Sequence, residues 1–328
     1  MNVLRPVAAR GASSHVPRAS FARVMPSCIR QPTCTAAARS GAAVAMRPYH
    51  VTTPPKLRAK ATFAKFDLSG QTHVVTGGAQ GLGLAMAEGL AEAGASVYCL
   101  DYQANPSKEF LEAQTDLQTD NGGQLHFQQV DVRNHAQLED VILNLAAKRE
   151  RLDGVIAAAG VQQLCPALEY TYEDAKRMLD INCTGVFFTA QAAAKAMTRY
   201  RSRGKICLIA SMSGLIANKG LISPMYNCSK AAVIQMARSL SMEWARANSD
   251  GTGGIRVNAL CPGNIMTPMV KKNFEEVPGL KEKWEAENMM GRLAEPTEFK
   301  GAALFLLSDH SSFMTGSSLV IDAGYTAW

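Results

Sequence analysis

A tyrosine and a lysine four residues apart, Tyr226 and Lys230, could exchange a proton with an alcohol or a ketone. Residues four apart share one face of a helix, and the apolar pattern after Tyr226 is helical. A free phenol titrates at about pH 10, too high for a base at neutral pH. An ammonium group one turn away stabilises the phenolate and lowers the pKa of the phenol. The pair is therefore a candidate general acid and base.

The same spacing occurs at Tyr172 and Lys176, so spacing alone does not identify the reactive pair. A reactive tyrosine needs a hydroxyl group beside it to hold the substrate oxygen. An apolar strand pattern ends at Ser211, upstream of Tyr226, whereas no serine precedes Tyr172 at a comparable distance. Tyr172 and Lys176 instead fit the solvated start of a helix with acidic residues in its first turn.

A glycine-rich turn follows the first apolar strand pattern and leads straight into a helix pattern that starts near Leu82. In this turn Gly77 permits a tight bend, Gly81 lets the backbone approach a pyrophosphate, and Gly83 allows close packing of helix on strand. The helix N-terminus presents free N–H groups and a positive dipole end to phosphates. This context predicts a dinucleotide-binding site.

An acidic residue, Asp101, ends the second strand pattern, 18 residues after Gly83. At this place a carboxylate can accept hydrogen bonds from both hydroxyls of an adenosine ribose. It would also repel a 2′-phosphate. Gln80 and Tyr102 carry no positive charge that could hold such a phosphate. We therefore expect NAD as the cofactor rather than NADP.

Apolar strand patterns alternate with helix patterns from Asp67 onward. The predicted strands are His73–Thr76, Ser96–Asp101, Leu125–Val132, Gly154–Ala159, Lys205–Ser211, Ile255–Cys261 and Ser318–Asp322. The predicted helices include Leu82–Glu92, Asn134–Arg149, Tyr172–Arg199, Ala231–Ala247 and Pro296–Leu307. This alternation predicts an α/β fold, in which one Rossmann-like, doubly wound domain has seven parallel strands with helices on both faces.

The basic charge of the chain is concentrated at its beginning. Residues 1–66 contain 11 of the 34 basic residues and none of the 28 acidic ones. An Arg-rich, Ser-rich, acid-free segment is typical of a mitochondrial transit peptide. We therefore divide the chain into a leader, residues 1–60, and a catalytic domain, residues 61–328, and expect the mitochondrial matrix as its location. The triplet Arg47-Pro48-Tyr49 resembles a processing site with cleavage after Tyr49. The alternative is that residues 1–60 are a disordered tail that carries no targeting signal.

The remainder of the chain is mildly acidic, since it holds 23 basic and 28 acidic residues. It has no basic face, so we expect no nucleic-acid partner. No apolar run is long enough to span a membrane. None of the eight cysteines forms a CxxC pair, so spacing predicts no metal site, and free thiols suit a reducing compartment.

These motifs together resemble the short-chain dehydrogenase/reductase family, from about Phe63 to Trp328. The glycine turn has that family's spacing, and Pro262-Gly263 followed by Thr267 matches its nicotinamide-contacting segment. The catalytic tetrad of the family is matched in order by Asn182, Ser211, Tyr226 and Lys230. The resemblance implies that Tyr226 is the base for alcohol oxidation and that Lys230 also reaches the nicotinamide ribose. It further implies that Ser211 holds the reacting oxygen and that Asn182 opens a helix for a proton-relay water.

The resemblance also extends the set of cofactor contacts, with Asp131 and Val132 expected near the adenine. The residues expected to contact the cofactor are Gly77, Gly81, Leu82, Gly83, Asp101, Asp131, Val132, Ala159, Tyr226, Lys230, Ile265 and Thr267.

Two features depart from the family pattern. The family usually has Asn-Asn-Ala-Gly after its fourth strand, whereas this chain has Ala157-Ala158-Ala159-Gly160, so a side-chain hydrogen bond that braces the sheet is lost. Ser211 and Tyr226 are 15 residues apart, where 13 is common. Ser213 has the usual spacing, but it lies beyond the predicted strand end, so we favour Ser211.

The segment from residue 264 to 291, the lid, lies where the family builds its substrate cover. The run Ser211–Gly214 and the ending Asp322–Trp328 resemble those of fungal sugar-alcohol and ketose dehydrogenases of the D-arabinitol, mannitol and sorbose types. We therefore expect interconversion of a polyol and its ketose. One alternative is an organellar 3-oxoacyl-thioester reductase, which would need NADPH and a basic patch such as Lys271-Lys272. A non-catalytic dinucleotide-binding scaffold is a remote third reading.

Members of this family commonly form tetramers through the two helices that correspond here to residues 172–199 and 226–247. We therefore expect a homo-oligomer, with a tetramer favoured. The aromatic ending Tyr325–Trp328 is a candidate for contact with a neighbouring subunit.

Overall fold

The computed structural model describes residues 66–117, 123–220 and 222–328. The predicted leader and its cleavage site lie outside these residues. The strands are β1 (Thr72–Thr76), β2 (Ser96–Asp101), β3 (Gln124–Gln129), β4 (Gly154–Ala157), β5 (Lys205–Ile209), β6 (Arg256–Pro262) and β7 (Ser318–Ile321). The helices are α1 (Gly81–Glu92), α2 (Lys108–Leu117), α3 (His135–Arg149), α4 (Tyr172–Leu179), α5 (Val186–Arg199), α6 (Pro224–Trp244), α7 (Pro268–Glu276), α8 (Leu280–Glu287) and α9 (Lys300–Leu307).

The seven strands form one parallel sheet in the order β3-β2-β1-β4-β5-β6-β7. The predicted Rossmann-like fold is thus confirmed. The chain winds outward in one direction from β1 to β3 and then crosses to β4 on the other side of β1. Such a switch point opens a crevice beyond the carboxyl ends of the strands, where this class of sheet binds ligands.

Two apolar layers cover the sheet. One packs α3, α5 and α6 against it and is rich in small side chains, such as Ala190, Ala193 and Ala196 of α5. The other packs α1 and α9 against the opposite face, with Leu90, Phe299 and Leu306 fully buried. Alternating helices on both faces bury both sides of each strand, which explains the continuous apolar runs in the sequence.

The structure departs from the predicted elements mainly where they end. Strands β3, β4 and β5 stop two or three residues earlier than predicted, so Asp131, Ala159 and Ser211 lie in the turns beyond them. The predicted helix over residues 172–199 is interrupted by a π-helical segment, Asp180–Gly185, between α4 and α5. Helix α6 begins at Pro224 rather than at Ala231, which places Tyr226 in its first turn.

Among the described residues, no helix combines the length and apolar character needed to cross a bilayer. Within that same part of the chain, no cluster of histidine, cysteine or carboxylate side chains could hold a metal ion. The six described cysteines are all free thiols, and burial raises the pKa of Cys207 to about 12.

Candidate active site

A cleft of about 420 Å³ opens at the carboxyl ends of β1, β2, β4, β5 and β6. Every residue predicted to contact a cofactor lies on its wall, and so do Ser211, Tyr226 and Lys230. Asn182 is absent from the wall and is fully buried. The fold therefore brings the two predicted functional groups, the glycine turn and the Tyr–Lys pair, to one cavity.

The glycine turn is shaped by contacts that leave no room for side chains. Gly77 and Gly81 have φ angles of +68° and +56°, in the left-handed region that favours glycine. A Cβ atom on Gly77 would lie 2.7 Å from the Cα of Ala159, and one on Gly83 would collide with the carbonyl oxygen of Gly77. Gly83 thus packs on the turn itself, which brings the first turn of α1 to the edge of the cleft.

The N-terminus of α1 suits a phosphate group. Gln80 precedes the helix without a capping hydrogen bond from its side chain, and the first turn contains no acidic residue. The backbone N–H groups at this end therefore lack the usual side-chain partner, and the helix dipole favours a negative charge there.

Asp101 is 6 % exposed and lies at the end of β2, on the cleft wall. One carboxylate oxygen accepts a hydrogen bond from the backbone N–H of Ala79 at 3.2 Å, and the other accepts one from Gln103 at 3.4 Å. Asp101 therefore braces the glycine turn from the side and also presents a carboxylate to the cleft. This geometry fits the ribose contact that its sequence position predicts.

Asp131 lies two residues beyond β3 and is tied to Arg133. The Arg133 Nε–H is shared between the two carboxylate oxygens, each 3.0 Å from the nitrogen, and Nη2 donates a further hydrogen bond to one of them. This pairing holds the pKa of Asp131 below its usual range. Arg133, which the sequence analysis did not identify, also lines the cleft. Its guanidinium is already engaged by a carboxylate.

Tyr226 packs against an apolar cluster formed by Leu280 and Trp284 of the lid and by Leu293 just beyond it. Burial raises the pKa of the phenol above its usual value of 10, while a hydrogen bond with the Ser211 hydroxyl lowers it. Sequence reasoning predicted a net lowering by Lys230. The structure shows the opposite net direction because removal of water from the phenolate outweighs the opposing interaction.

Ser211 caps a short 3-10 helix, Met212–Gly214, and its hydroxyl accepts a hydrogen bond from the backbone N–H of Ser213 at 3.1 Å. Both serines are buried, but Ser211 lines the cleft and interacts with Tyr226, whereas Ser213 does not line the cleft. The placement therefore favours Ser211 over Ser213 as the hydroxyl that meets the substrate oxygen.

Lys230 lies one turn after Tyr226 on α6 and is 5 % exposed. Its ammonium nitrogen donates a hydrogen bond of 2.9 Å to the carbonyl oxygen of Ile209 and lies 5.6 Å from the centre of the Tyr226 ring. Burial lowers the pKa of this lysine from 10.5 to about 8. The β5 carbonyl thus fixes the ammonium at the cleft, beside the phenol.

Asn182 lies in the π-helical segment, and its side chain forms hydrogen bonds with both backbone polar groups of Val161. Its amide oxygen accepts from the N–H of Val161 at 2.8 Å, and its amide nitrogen donates to the carbonyl of Val161 at 2.9 Å. A Cβ on Gly160 would lie 3.4 Å from Asn182 Oδ1 and 3.5 Å from Lys230 Nζ. Gly160 therefore keeps a small space open between the Asn182 amide and the Lys230 ammonium.

This arrangement can move a proton at one hydroxyl position in the cleft. Tyr226 can accept or donate the proton, Ser211 can hold the same oxygen, and Lys230 supplies positive charge nearby. The glycine turn, the uncapped helix and Asp101 suit a dinucleotide, which supplies a hydride acceptor when it is bound.

Sequence reasoning missed several residues that line the cleft, among them Arg177, Ile181 and Met269. Arg177 lies near the end of α4, and Ile181 lies in the π-helical segment, which no hydrophobic pattern predicts. Met269 follows from helix α7, whose start could have been identified from Thr267 and Pro268. The Thr267 hydroxyl caps this helix by accepting a hydrogen bond from the N–H of Val270 at 3.3 Å.

Known proteins resemble this chain over the described domain. A family model described as enoyl-(acyl carrier protein) reductase matches residues 77–326. A short-chain dehydrogenase/reductase of Aspergillus versicolor is 37% identical over 264 residues, which are 80% of this chain and 89% of that protein. The D-arabinitol 2-dehydrogenase (ribulose-forming) of Candida tropicalis is 36% identical over 273 residues, which are 80% of this chain and 95% of that protein.

A solved structure shows the same fold. The gluconate 5-dehydrogenase of Burkholderia cenocepacia, in complex with NADP and tartrate, is 29% identical with a TM-score of 0.72. The match covers 80% of this chain and 98% of that one. The cleft, the order of its side chains along the sequence and these similarities lead to one conclusion: the chain belongs to the short-chain dehydrogenase/reductase family of NAD(P)-dependent oxidoreductases.

Proposed function

We propose that this protein interconverts a polyol and its ketose. The single observation that carries the proposal is the convergence of Ser211, Tyr226 and Lys230 on the cleft that also holds the glycine turn. The similarity to a D-arabinitol 2-dehydrogenase over 80% of the chain supports a polyol rather than a simple alcohol as the substrate.

In this proposal Tyr226 takes the proton of a secondary hydroxyl during oxidation and returns it during reduction. Ser211 holds the reacting oxygen and stabilises the charge that develops on it. Lys230 places its ammonium group beside the phenol and reaches the nicotinamide ribose. Asn182 holds the turn that contains Gly160 and Val161, which leaves space for a proton-relay water next to the Lys230 ammonium.

We propose NAD as the preferred cofactor. The buried Asp101 carboxylate would repel a 2′-phosphate, and the nearby Arg133 is already paired with Asp131. The related gluconate dehydrogenase was solved with NADP, so the preference depends on residues of this chain rather than on the family. Asp101→Ala should lower the ratio of kcat/KM with NAD to that with NADP by about ten-fold or more. Asp140→Ala, an exposed carboxylate on α3, is the matched control.

The charge of the lid does not favour the alternative thioester reductase. Lys272 pairs with Glu276 at 3.6 Å, and Lys281 pairs with Glu285 at 3.8 Å, each one turn further along its helix. The lid therefore alternates charges and does not present the basic patch that an acidic carrier protein would need. The clustering of the tetrad likewise argues against a non-catalytic scaffold.

The proposal also includes a homotetramer in the mitochondrial matrix. Several large apolar side chains are exposed, namely Leu168 shortly before α4, Tyr172 at its start, Met242 near the end of α6 and Phe313 before β7. Exposed apolar side chains of this kind suit contact with another subunit. Light scattering at micromolar concentration tests the tetramer.

Import of a reporter fused to residues 1–60 tests the location in the mitochondrial matrix. A reporter that stays in the cytosol would contradict this location.

Initial rates for pentitols and hexitols with NAD and with NADP, beside an acetoacetyl thioester with NADPH, test the proposed activity. We expect a polyol with NAD to give a kcat/KM at least about ten-fold above every other pair. A higher kcat/KM for the thioester would favour the alternative, and no turnover in any arm would favour the scaffold.

A further inference from the structure

The residues that follow β7, Asp322–Trp328, fold back across the substrate side of the molecule; we call this segment the strap. Its start packs on the Pro262–Gly263 turn, where a Cβ on Gly263 would lie 2.6 Å from the Cα of Asp322. The Asp322 carboxylate accepts hydrogen bonds from the backbone N–H groups of Gly324 and Thr326 at 3.0 and 2.9 Å. The strap therefore has a fixed shape from its first residue.

The first attachment of the strap is to the loop that precedes Tyr226. Tyr325 is 5 % exposed, and its hydroxyl accepts a hydrogen bond of 2.9 Å from the backbone N–H of Lys219. The same hydroxyl donates to the carbonyl of Lys219 at 3.5 Å. The loop is joined in turn to α6, because Asn227 donates to the Ile216 carbonyl at 3.4 Å. Asn227 is the immediate neighbour of Tyr226.

The second attachment is to the lid. The indole N–H of Trp328 donates a hydrogen bond of 3.1 Å to the carbonyl oxygen of Glu287, the last residue of α8. Gly324 passes so close to Met289 that a Cβ would lie 2.9 Å from its Cγ. Lys219 and Glu287 form an ion pair of 3.1 Å, so the two attachment points also contact each other.

The attached lid helix touches the reactive tyrosine. Trp284 of α8 is 2 % exposed and belongs to the apolar cluster against which Tyr226 packs. The strap thus holds, within one chain, both the loop and the helix that flank Tyr226.

We infer that the strap is a positioning element for the substrate, in which Tyr325 and Trp328 hold the lid and the loop before Tyr226 in their observed positions. Substrate binding, rather than the proton transfer itself, should depend on it. The inference about the substrate rests on the proposed function, whereas the attachment itself does not. These contacts lie within one chain, and the predicted contact of this ending with a neighbouring subunit stays a separate prediction.

Two point variants of the full chain separate the attachments, Tyr325→Phe and Trp328→Phe. Each removes one hydrogen-bonding group and keeps an aromatic ring. The control is Tyr172→Phe, which removes a phenol hydroxyl from a ring that is 75% exposed at the start of α4.

The first readout is amide hydrogen exchange, which needs no substrate. Tyr325→Phe should speed exchange at Lys219 by about ten-fold, because the Lys219 amide N–H loses its acceptor. Trp328→Phe should speed exchange over the last turn of α8, because the Glu287 carbonyl loses the contact that holds the end of this helix and the turn opens more often. Unchanged exchange in both variants would overturn the inference. It would do so whether or not the polyol assay succeeds.

The second readout is the division of the kinetic effect between KM and kcat. We expect each variant to raise KM for the polyol by about three- to ten-fold, with kcat and the Kd for NAD within about two-fold of the parent. Faster exchange with an unchanged KM would overturn the positioning role. Equal losses of kcat, NAD binding and thermal stability would indicate a merely structural role and would also overturn it. If no polyol is turned over, the proposed function fails, and the exchange result alone decides whether the strap holds.

Discussion

At the residue scale, a phenol and an ammonium group, Tyr226 and Lys230, line the same cleft. Burial raises the pKa of the Tyr226 phenol and lowers that of the Lys230 ammonium to about 8. Each shift disfavours the charged form, because neither group has a full ionic partner among the described residues. The interaction that lowers the pKa of Tyr226 comes from Ser211, so in the proposed mechanism the serine tunes the base in addition to holding the substrate oxygen.

This leads to a prediction for the pH dependence of the two directions. Oxidation needs the phenolate of Tyr226, so its kcat/KM should rise as the pH rises towards the pKa of the phenol. Reduction needs the protonated phenol and should fall over the same range. Initial rates in each direction from pH 6 to about pH 11 measure both limbs.

The Ser211→Ala variant provides the sharper comparison. Loss of a hydrogen bond to the phenolate should raise the pKa of Tyr226 and move the rising limb of oxidation to higher pH. An oxidation limb that stays in place would show that Ser211 does not tune the base.

At the scale of elements, the sequence predicts the features that follow from hydrophobic periodicity and glycine spacing. The continuous apolar runs identify seven strands, and the glycine spacing places the cofactor turn correctly at the end of β1. Periodicity does not control how far a strand extends, so residues such as Ser211 lie in turns. Nor does it reveal the π-helical segment, whose Asn182 side chain exchanges two hydrogen bonds with the backbone of Val161, 21 residues away. The strap contacts also join distant residues, and no local pattern encodes them.

Ala157 stands where the family usually has asparagine, and a buried hydroxyl lies opposite it in the sheet. Thr76 of β1 faces Ala157 of β4 in register, and among the described residues its buried hydroxyl has no hydrogen-bond partner. A buried hydroxyl without a partner costs free energy, and replacement by an apolar group of the same shape removes this cost.

Thr76→Val should therefore raise the free energy of unfolding by about 1 kcal/mol, measured by urea denaturation. Thr72→Val, at the other end of the same strand, is a control in which no gain is expected from this cause. A loss of stability in Thr76→Val would show that the hydroxyl is satisfied in solution.

At the scale of the whole molecule, one buried histidine links stability to pH. His73 in β1 is 0 % exposed, and burial lowers its pKa from 6.5 to about 4. The unfolded chain therefore binds a proton at higher pH than the folded chain does. Stability is fully present above about pH 6.5 and is lost as the pH falls towards about 4.

The loss of unfolding free energy over this range should be about 3 kcal/mol from this residue. His73→Gln should flatten the decline between pH 7 and about pH 4.5, as followed by chemical denaturation. His135→Gln, which replaces a half-buried imidazole on α3, serves as the control. An unchanged pH dependence in His73→Gln would contradict the assignment.

The central claim is that the Tyr226 phenol passes the proton while a polyol and its ketose are interconverted, and Tyr226→Phe tests it most directly. Turnover of the preferred polyol and the Kd for NADH should be measured together, with Tyr172→Phe as the matched variant. We predict that Tyr226→Phe binds NADH nearly as the parent does and retains less than about a tenth of kcat. A variant that keeps more than this fraction of kcat would contradict the account.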